Sequence, residues 1–254
     1  VRIALIDADT LVYQSARGNE VEIEWDQGIT TLHCEFDPCR AHLDDMVESI
    51  MEKTGADEAI MALTDYNDPW RKRVMPTYKN NRKNVRKPLV FNPLREYIQR
   101  EYQTVMYPGC EGDDVLGILL TDPTSDDERV VVSIDKDMKT LPGAYFNLNT
   151  EKTIDMPLCG ADYWHLMQTL TGDTVDGYRG CPGVGPKGAA KILDPFLDTY
   201  LEAFDVRRAW PAVVAAYEKK GLSEEAALDT ARVARICRYS DYDFRKGEVI
   251  LWTP

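Results

Sequence analysis

Three short, largely apolar runs, Val1 to Ile6, Ala59 to Thr64 and Val130 to Ile134, are each followed at once by an aspartate. Runs of this length, bounded by polar residues, predict buried strands. Helical spacing of apolar positions separates them over Arg40 to Lys53, Leu94 to Tyr102 and Val115 to Leu120. The alternation predicts an α/β fold whose mostly parallel central sheet is covered by helices on both faces. Ligands of such sheets bind beyond the carboxyl ends of the strands, which places Asp7, Asp65 and Asp135 along one edge. Beyond residue 160 the pattern changes. Tyr163 to Leu170 predicts a helix, a glycine-rich loop runs to Gly188, and Ala189 to Leu193 starts a helix that Pro195 ends. Ser223, with Glu224 and Glu225 behind it, opens a C-terminal helix to about Cys237, and Val249 to Trp252 predicts a short strand or extended tail. The expected division is residues 1–160 as the α/β unit, with a basic insertion at about 66–90, and 161–254 as a helical region.

At 254 residues and 44% hydrophobic, the chain can bury one full core with a smaller appendage. Six cysteines without a CxxC pair, no signal-peptide pattern and no run long enough to span a bilayer predict a reduced, soluble, cytoplasmic protein with no membrane partner. The chain opens on Val1, so an initiator residue and a short leader are expected to precede it. His33, Cys34, Cys39 and His42 fit none of the usual zinc spacings, and ordinary packing is expected of them.

Clustered acids change the picture most. Asp7 and Asp65 are joined by Glu111, Asp113 and Asp114, by Asp135 and Asp137, and by Asp173 and Asp176. Each piece alone reads as a helix cap or solvated loop. Their coincidence is another matter, because two carboxylates about 4 Å apart repel by about 4 kcal/mol at an effective dielectric near 20. Several such pairs would exhaust a domain's net stability unless cations neutralise them, which points to bound divalent metal, Mg²⁺ first and Mn²⁺ as the substitute.

A formal net charge of −13 argues against a polyanionic partner, but the distribution reverses the argument. Arg71, Lys72, Arg73, Lys79, Arg82, Lys83, Arg86 and Lys87 form a block with no acid among them. If helical, the segment Tyr78-Lys79-Asn80-Asn81-Arg82 puts Lys79 and Arg82 on one face to clamp a phosphate, with the Tyr78 ring available to a base. In Gly183-Val184-Gly185-Pro186-Lys187, close-approaching glycines lead into a helix start, a pattern suited to gripping a DNA backbone through N–H groups, with Lys187 adding a charge.

Taken in order, Asp7, Asp65, Tyr78-Lys79-x-x-Arg82, Glu111-x-Asp113-Asp114, Asp135-x-Asp137, Gly172-Asp173-x-x-Asp176 and the Gly183 to Lys187 hairpin resemble the flap endonuclease and 5′→3′ exonuclease family, most of all its stand-alone phage exonucleases. The resemblance implies a PIN-like nuclease core with a basic helical arch and a helix-hairpin-helix-type hairpin at about 172–193. It implies two or more Mg²⁺ ions on the nine carboxylates, with Lys79, Arg82 and Tyr78 at the reacting strand. Arg71, Lys72, Arg73, Lys83, Arg86, Lys87, Gly183, Val184, Gly185 and Lys187 become DNA contacts, and K⁺ is implied at the hairpin. The implied partner is duplex DNA with a 5′ end or flap, extending to the RNA of an RNA–DNA hybrid. Gly177 stands where the family has asparagine, and Gly188 where it has threonine, which puts the local hairpin geometry in question.

Two rivals compete. Ile6-Asp7-Ala8-Asp9-Thr10-Leu11 resembles the nucleophile motif of haloacid-dehalogenase-type phosphatases, with Asp7 as covalent nucleophile and Asp9 as general acid; otherwise Asp9 is an N-cap candidate. That reading leaves Glu111-x-Asp113-Asp114, the basic block and the hairpin without a role. A non-catalytic DNA-junction binder would have no need to carry the repulsion of nine acids.

Overall fold

The computed structural model describes residues 1–198 and 203–254. Parallel strands β1 (Arg2–Asp7), β4 (Glu58–Ala62) and β6 (Glu128–Ser133) lie side by side in the middle of a six-stranded sheet. Its order is β5-β4-β1-β6-β7-β8, completed by β5 (Thr104–Val105), β7 (Gly143–Asn147) and the antiparallel edge strand β8 (Lys152–Met156). After β1 the chain builds one half of the sheet and then returns to build the other, so the switch point lies at the carboxyl end of β1.

Helices α1 (Ala8–Gly18), α2 (Phe36–Thr54) and α4 (Phe91–Glu101) cover one face. In α2, Cys39, Leu43, Val47 and Ile50 recur at helical spacing toward the sheet, and Gly55 ends the helix in the left-handed region. Helix α5 (Gly112–Leu120) covers the other face together with the returning C-terminal segment Ile236–Tyr242. A Cβ at Gly117 would stand 2.3 Å from the Cys237 carbonyl oxygen, so only glycine admits that approach. The C-terminal chain thereby crosses the expected boundary at 160 and contributes to the core of the α/β unit.

Helices α6 (Leu158–Thr171), α7 (Pro186–Leu193), α8 (Val206–Glu218) and α9 (Glu224–Ala234) enclose a separate apolar cluster around Leu170, Val213 and Tyr217. Helix α7 begins three residues earlier than the apolar pattern indicated, because Pro186 is preorganised for a first helical position. Helix α8, which contains Pro211, and the exposed hairpin β2–β3 (Val21–Trp25, Ile29–His33) were not anticipated. The segment 66–90 is not a helical arch. It holds the five-residue helix α3 (Trp70–Val74), a 3₁₀ turn at Asn80–Arg82 and otherwise irregular chain.

Around the cysteines, Cys34 Sγ and Cys39 Sγ lie 3.3 Å apart while His42 pairs with Asn19. Among the described residues no helix is long and apolar enough to cross a membrane.

Candidate active site

A cleft of about 800 Å³ opens at the carboxyl edge of β1 and β6. It is lined by the acids Asp7, Glu111, Asp113, Asp135, Asp137, Asp173 and Asp176 and by Lys72, Lys83, Arg86 and Lys87 with Tyr13 and Tyr66.

Asp7, the last residue of β1, caps α1 by accepting from Thr10 N–H (3.2 Å), and its other oxygen accepts from Thr10 Oγ1 (2.5 Å) and Ser133 Oγ (3.1 Å). Asp135 caps the next turn by accepting from Asp137 N–H (2.8 Å). Burial, followed by repulsion from Asp135 and Asp7, drives the Asp113 carboxyl well above the ordinary range. Burial likewise raises Asp7. Asp137 is pushed up to about 6 by burial and by Asp135. Among the described residues no hydrogen-bond donor reaches the Asp113 carboxylate. A hard divalent cation fits this oxygen-only donor set, since it would neutralise the repulsion that Lys79 offsets only in part.

Other acids have cationic partners. Lys79 Nζ donates to both oxygens of Glu111 (2.8 and 3.0 Å) and lies 3.8 Å from Asp176. Burial works to raise Glu111, but Lys79 and then Arg71 outweigh it and hold the carboxyl low. Arg82 donates to Asp176 Oδ1 (2.7 Å), and Lys136 Nζ links Asp137 and Asp173. With these side chains interposed, no three acids, histidines or cysteines among the described residues form a ready-made metal cage.

Several expectations need correction. Asp114 has no exposed surface, and its carboxylate accepts from Arg71 Nη1 (2.6 Å), Arg71 Nη2 (2.7 Å), Trp70 Nε1 (2.9 Å) and Cys237 N–H (3.0 Å). In this structure it serves as the counter-ion of Arg71. Arg71, 2% exposed, correspondingly cannot reach a phosphate. Asp65 does not line the cleft; its oxygens accept from Gly109 N–H and from the backbone and side-chain amides of Asn67, closing a turn. Tyr78 is 2% exposed, packs against Tyr178 and points its hydroxyl at Glu111 (3.0 Å) and Asp176 (2.9 Å), so it offers no face to a base. Lys79 adopts φ 52° and Arg82 follows in a 3₁₀ turn; their convergence on one site comes from this kink rather than from an α-helical face.

Arg73 stands outside the cleft beside Asp68 (3.6 Å), and Arg86 is tied to Glu20. Asp9 does not cap α1. It accepts from Thr64 N–H (2.9 Å) and pairs with Arg95 (2.9 Å), a fixed role that disfavours the phosphatase's general acid.

Gly183, Gly185 and Lys187 are exposed at the start of α7, away from the cleft, where Val184 N–H closes a turn on the Cys181 carbonyl (3.0 Å). Gly177 has φ +74°, and a Cβ there would meet Asn81 Oδ1 at 3.2 Å. Left-handed backbone and close packing against the Lys79 turn explain a glycine at this position. At Gly188 a Cβ would make only ordinary contact with Val184.

Sequence reasoning missed Ser133, Thr10 and Lys136. The signal for Lys136 was present, a lone cation between two acids of one motif.

Residues 2–157 match the family model described as 5′-3′ exonuclease, N-terminal resolvase-like domain. The chain is 31% identical to an exodeoxyribonuclease of Enterobacteria phage T3 over 99% of its own length and 93% of the relative's. It is 30% identical to the flap endonuclease Xni of Vibrio campbellii over 77% of this chain and 80% of that one. A phage T5 flap endonuclease, solved as a pseudo-enzyme-product complex with DNA and metal ions, has the same fold, with a TM-score of 0.65 at 15% identity over 92% of this chain and 89% of that one.

Proposed function

The chain belongs to the 5′-3′ exonuclease family, and from that premise we propose that its cleft hydrolyses phosphodiester bonds near the 5′ end or flap of duplex DNA, using Mg²⁺ held by Asp7, Glu111, Asp113, Asp135, Asp137, Asp173 and Asp176. The observation that carries the assignment is Asp113, a carboxylate crowded by Asp135 and Asp7 that accepts no hydrogen bond among the described residues and that the charge of Lys79 offsets only in part. When bound, paired divalent ions supply charge neutralisation and activation of the attacking water.

The chain's own residues do the rest. Ser133 and Thr10 fix the orientation of Asp7. Tyr78 positions Glu111 and Asp176 through one hydroxyl. Lys79 and Arg82 put positive charge beside the same acids, where it stabilises the charge developing on a phosphate in the transition state. Lys72, Lys83, Arg86 and Lys87, which line the same cleft, hold the strand's backbone. The start of α7 grips the duplex further along through exposed N–H groups and Lys187, with K⁺ at the same turn. Residues 1–160 thus carry most of the chemistry, while 161–254 add Asp173 and Asp176 to the cleft and much of the duplex grip. The RNA strand of a hybrid is a second substrate, and phage DNA replication or host DNA breakdown is the setting, in the host cytoplasm.

The test is digestion of a linear duplex labelled separately at its 5′ and 3′ ends, with Mg²⁺ and with chelator. Early release of the 5′ label as short products, only with metal, is expected. Folded protein that cleaves in neither condition, or that releases the 3′ label first, would overturn the proposal.

A further inference from the structure

Lys136 stands between two of the acids assigned to metal, and its contacts take Asp173 Oδ2 and Asp137 Oδ1. Asp173 gives Oδ1 to the N–H groups of Val175 (2.7 Å) and Asp176 (3.2 Å), which leaves Oδ2, and Lys136 Nζ donates to that oxygen at 2.7 Å. The same ammonium donates to Asp137 Oδ1 at 2.9 Å, an oxygen that also accepts from Gln168 Nε2. A divalent ion about 2.1 Å from Asp173 Oδ2 would face an ammonium almost as close, so the two cations cannot share the pair.

Lys79 differs in this respect. Its backbone N–H is bonded to the Asp176 carbonyl (2.8 Å), its φ is left-handed and its side chain is 19% exposed. The Lys136 side chain is 67% exposed on an open cleft rim and can withdraw into water at little desolvation cost.

We propose that Lys136 is an exchangeable internal counter-ion: its ammonium holds the place of a cation between Asp137 and Asp173, and a divalent ion can occupy that pair only by displacing it. This rests on the metal assignment above. The ion beside Asp7, Asp113 and Asp135 meets no such competitor, so the two positions differ in affinity and the Asp137–Asp173 position fills last. Once displaced, the ammonium remains on the cleft rim, where a phosphate passing through the cleft is its next partner. Linkage then requires that a phosphate drawing Lys136 away tightens metal binding at this pair by the same factor that metal tightens the phosphate contact.

The test is Mn²⁺ titration of the full chain without DNA, read by electron paramagnetic resonance of the free ion, for wild type, Lys136→Met, Lys136→Gln and Asp173→Asn. In both Lys136 variants the weaker class of site should tighten about tenfold, which corresponds to about 1.4 kcal/mol, while the tighter class stays unchanged. Asp173→Asn should remove the weaker class. Binding that is saturable but unaltered in both Lys136 variants would overturn the inference and leave the metal assignment standing. No saturable binding in any folded variant would overturn the metal assignment itself.

Discussion

Asp113 and Asp114 are adjacent in the chain, chemically identical and opposite in role. Successive helical residues point about 100° apart, so one turns into the cleft toward Asp7 and Asp135 while the other turns inward onto Arg71. Which acid faces which way depends on where the helix packs, and the sequence shows only that two acids are present. Asp113→Asn should abolish metal-dependent cleavage and, in chelator, raise unfolding stability by about 1 to 2 kcal/mol, because it removes a like-charge repulsion. Urea denaturation and the end-label assay together check this. A destabilised variant would show that Asp113 is compensated after all. Tyr78 teaches the same lesson from the other side, since an aromatic between basic residues is readable in sequence but its burial is not.

At the level of elements, one ion pair joins three segments distant in sequence. Arg71 on α3 meets Asp114 on α5 bidentately and donates to the carbonyls of Val233 (2.9 Å) and Arg235 (2.7 Å) at the end of α9. Losing one partner of a buried pair strands the other, at about 3 to 5 kcal/mol. Arg71→Met should therefore lower stability by that amount, measured by denaturant unfolding, and weaken DNA binding at reduced temperature far less than Lys83→Ala. Equal stability in Arg71→Met would return Arg71 to the DNA-contacting set. The kinked segment around Lys79 is the second element decided by packing. It is held by Lys79 N–H on the Asp176 carbonyl and by Asn81 on the carbonyls of Thr174 and Val175, contacts more than ninety residues apart in sequence.

For the whole molecule, acid sensitivity has an identifiable contributor beyond the cleft. His165 on α6 is 1% exposed, lies edge-on to Trp252 and bonds the Ala231 carbonyl (2.8 Å); burial, then Arg235, pushes its pKa down to about 3. The unfolded chain binds this proton near pH 6.5 and the folded chain does not, so the stability contribution is complete above 6.5 and is lost as pH falls toward 3. Between pH 7 and pH 5 the loss amounts to about 2 kcal/mol. His165→Gln should flatten the pH dependence of urea-unfolding stability by that amount. An unchanged profile would show that the histidine accepts its proton without unfolding.

The sequence by itself determined the three central strands of the sheet and, through Asp7 and Asp135, the edge at which the cleft lies, because apolar runs of strand length and the aspartates after them are local signals. It also showed most of the acids that line the cleft, since residue types and spacing are local, but not Lys136 among the cations nor which acids turn away from it. Only the tertiary structure decided which charges meet each other. Burial of Arg71 against Asp114, the turn closed by Asp65, the lysines placed between acids and the irregular course of residues 66–90 all depend on partners far along the chain. A long-range ion pair leaves no periodic trace in sequence, and from local pattern alone a charge that holds the fold looks the same as one that holds a ligand.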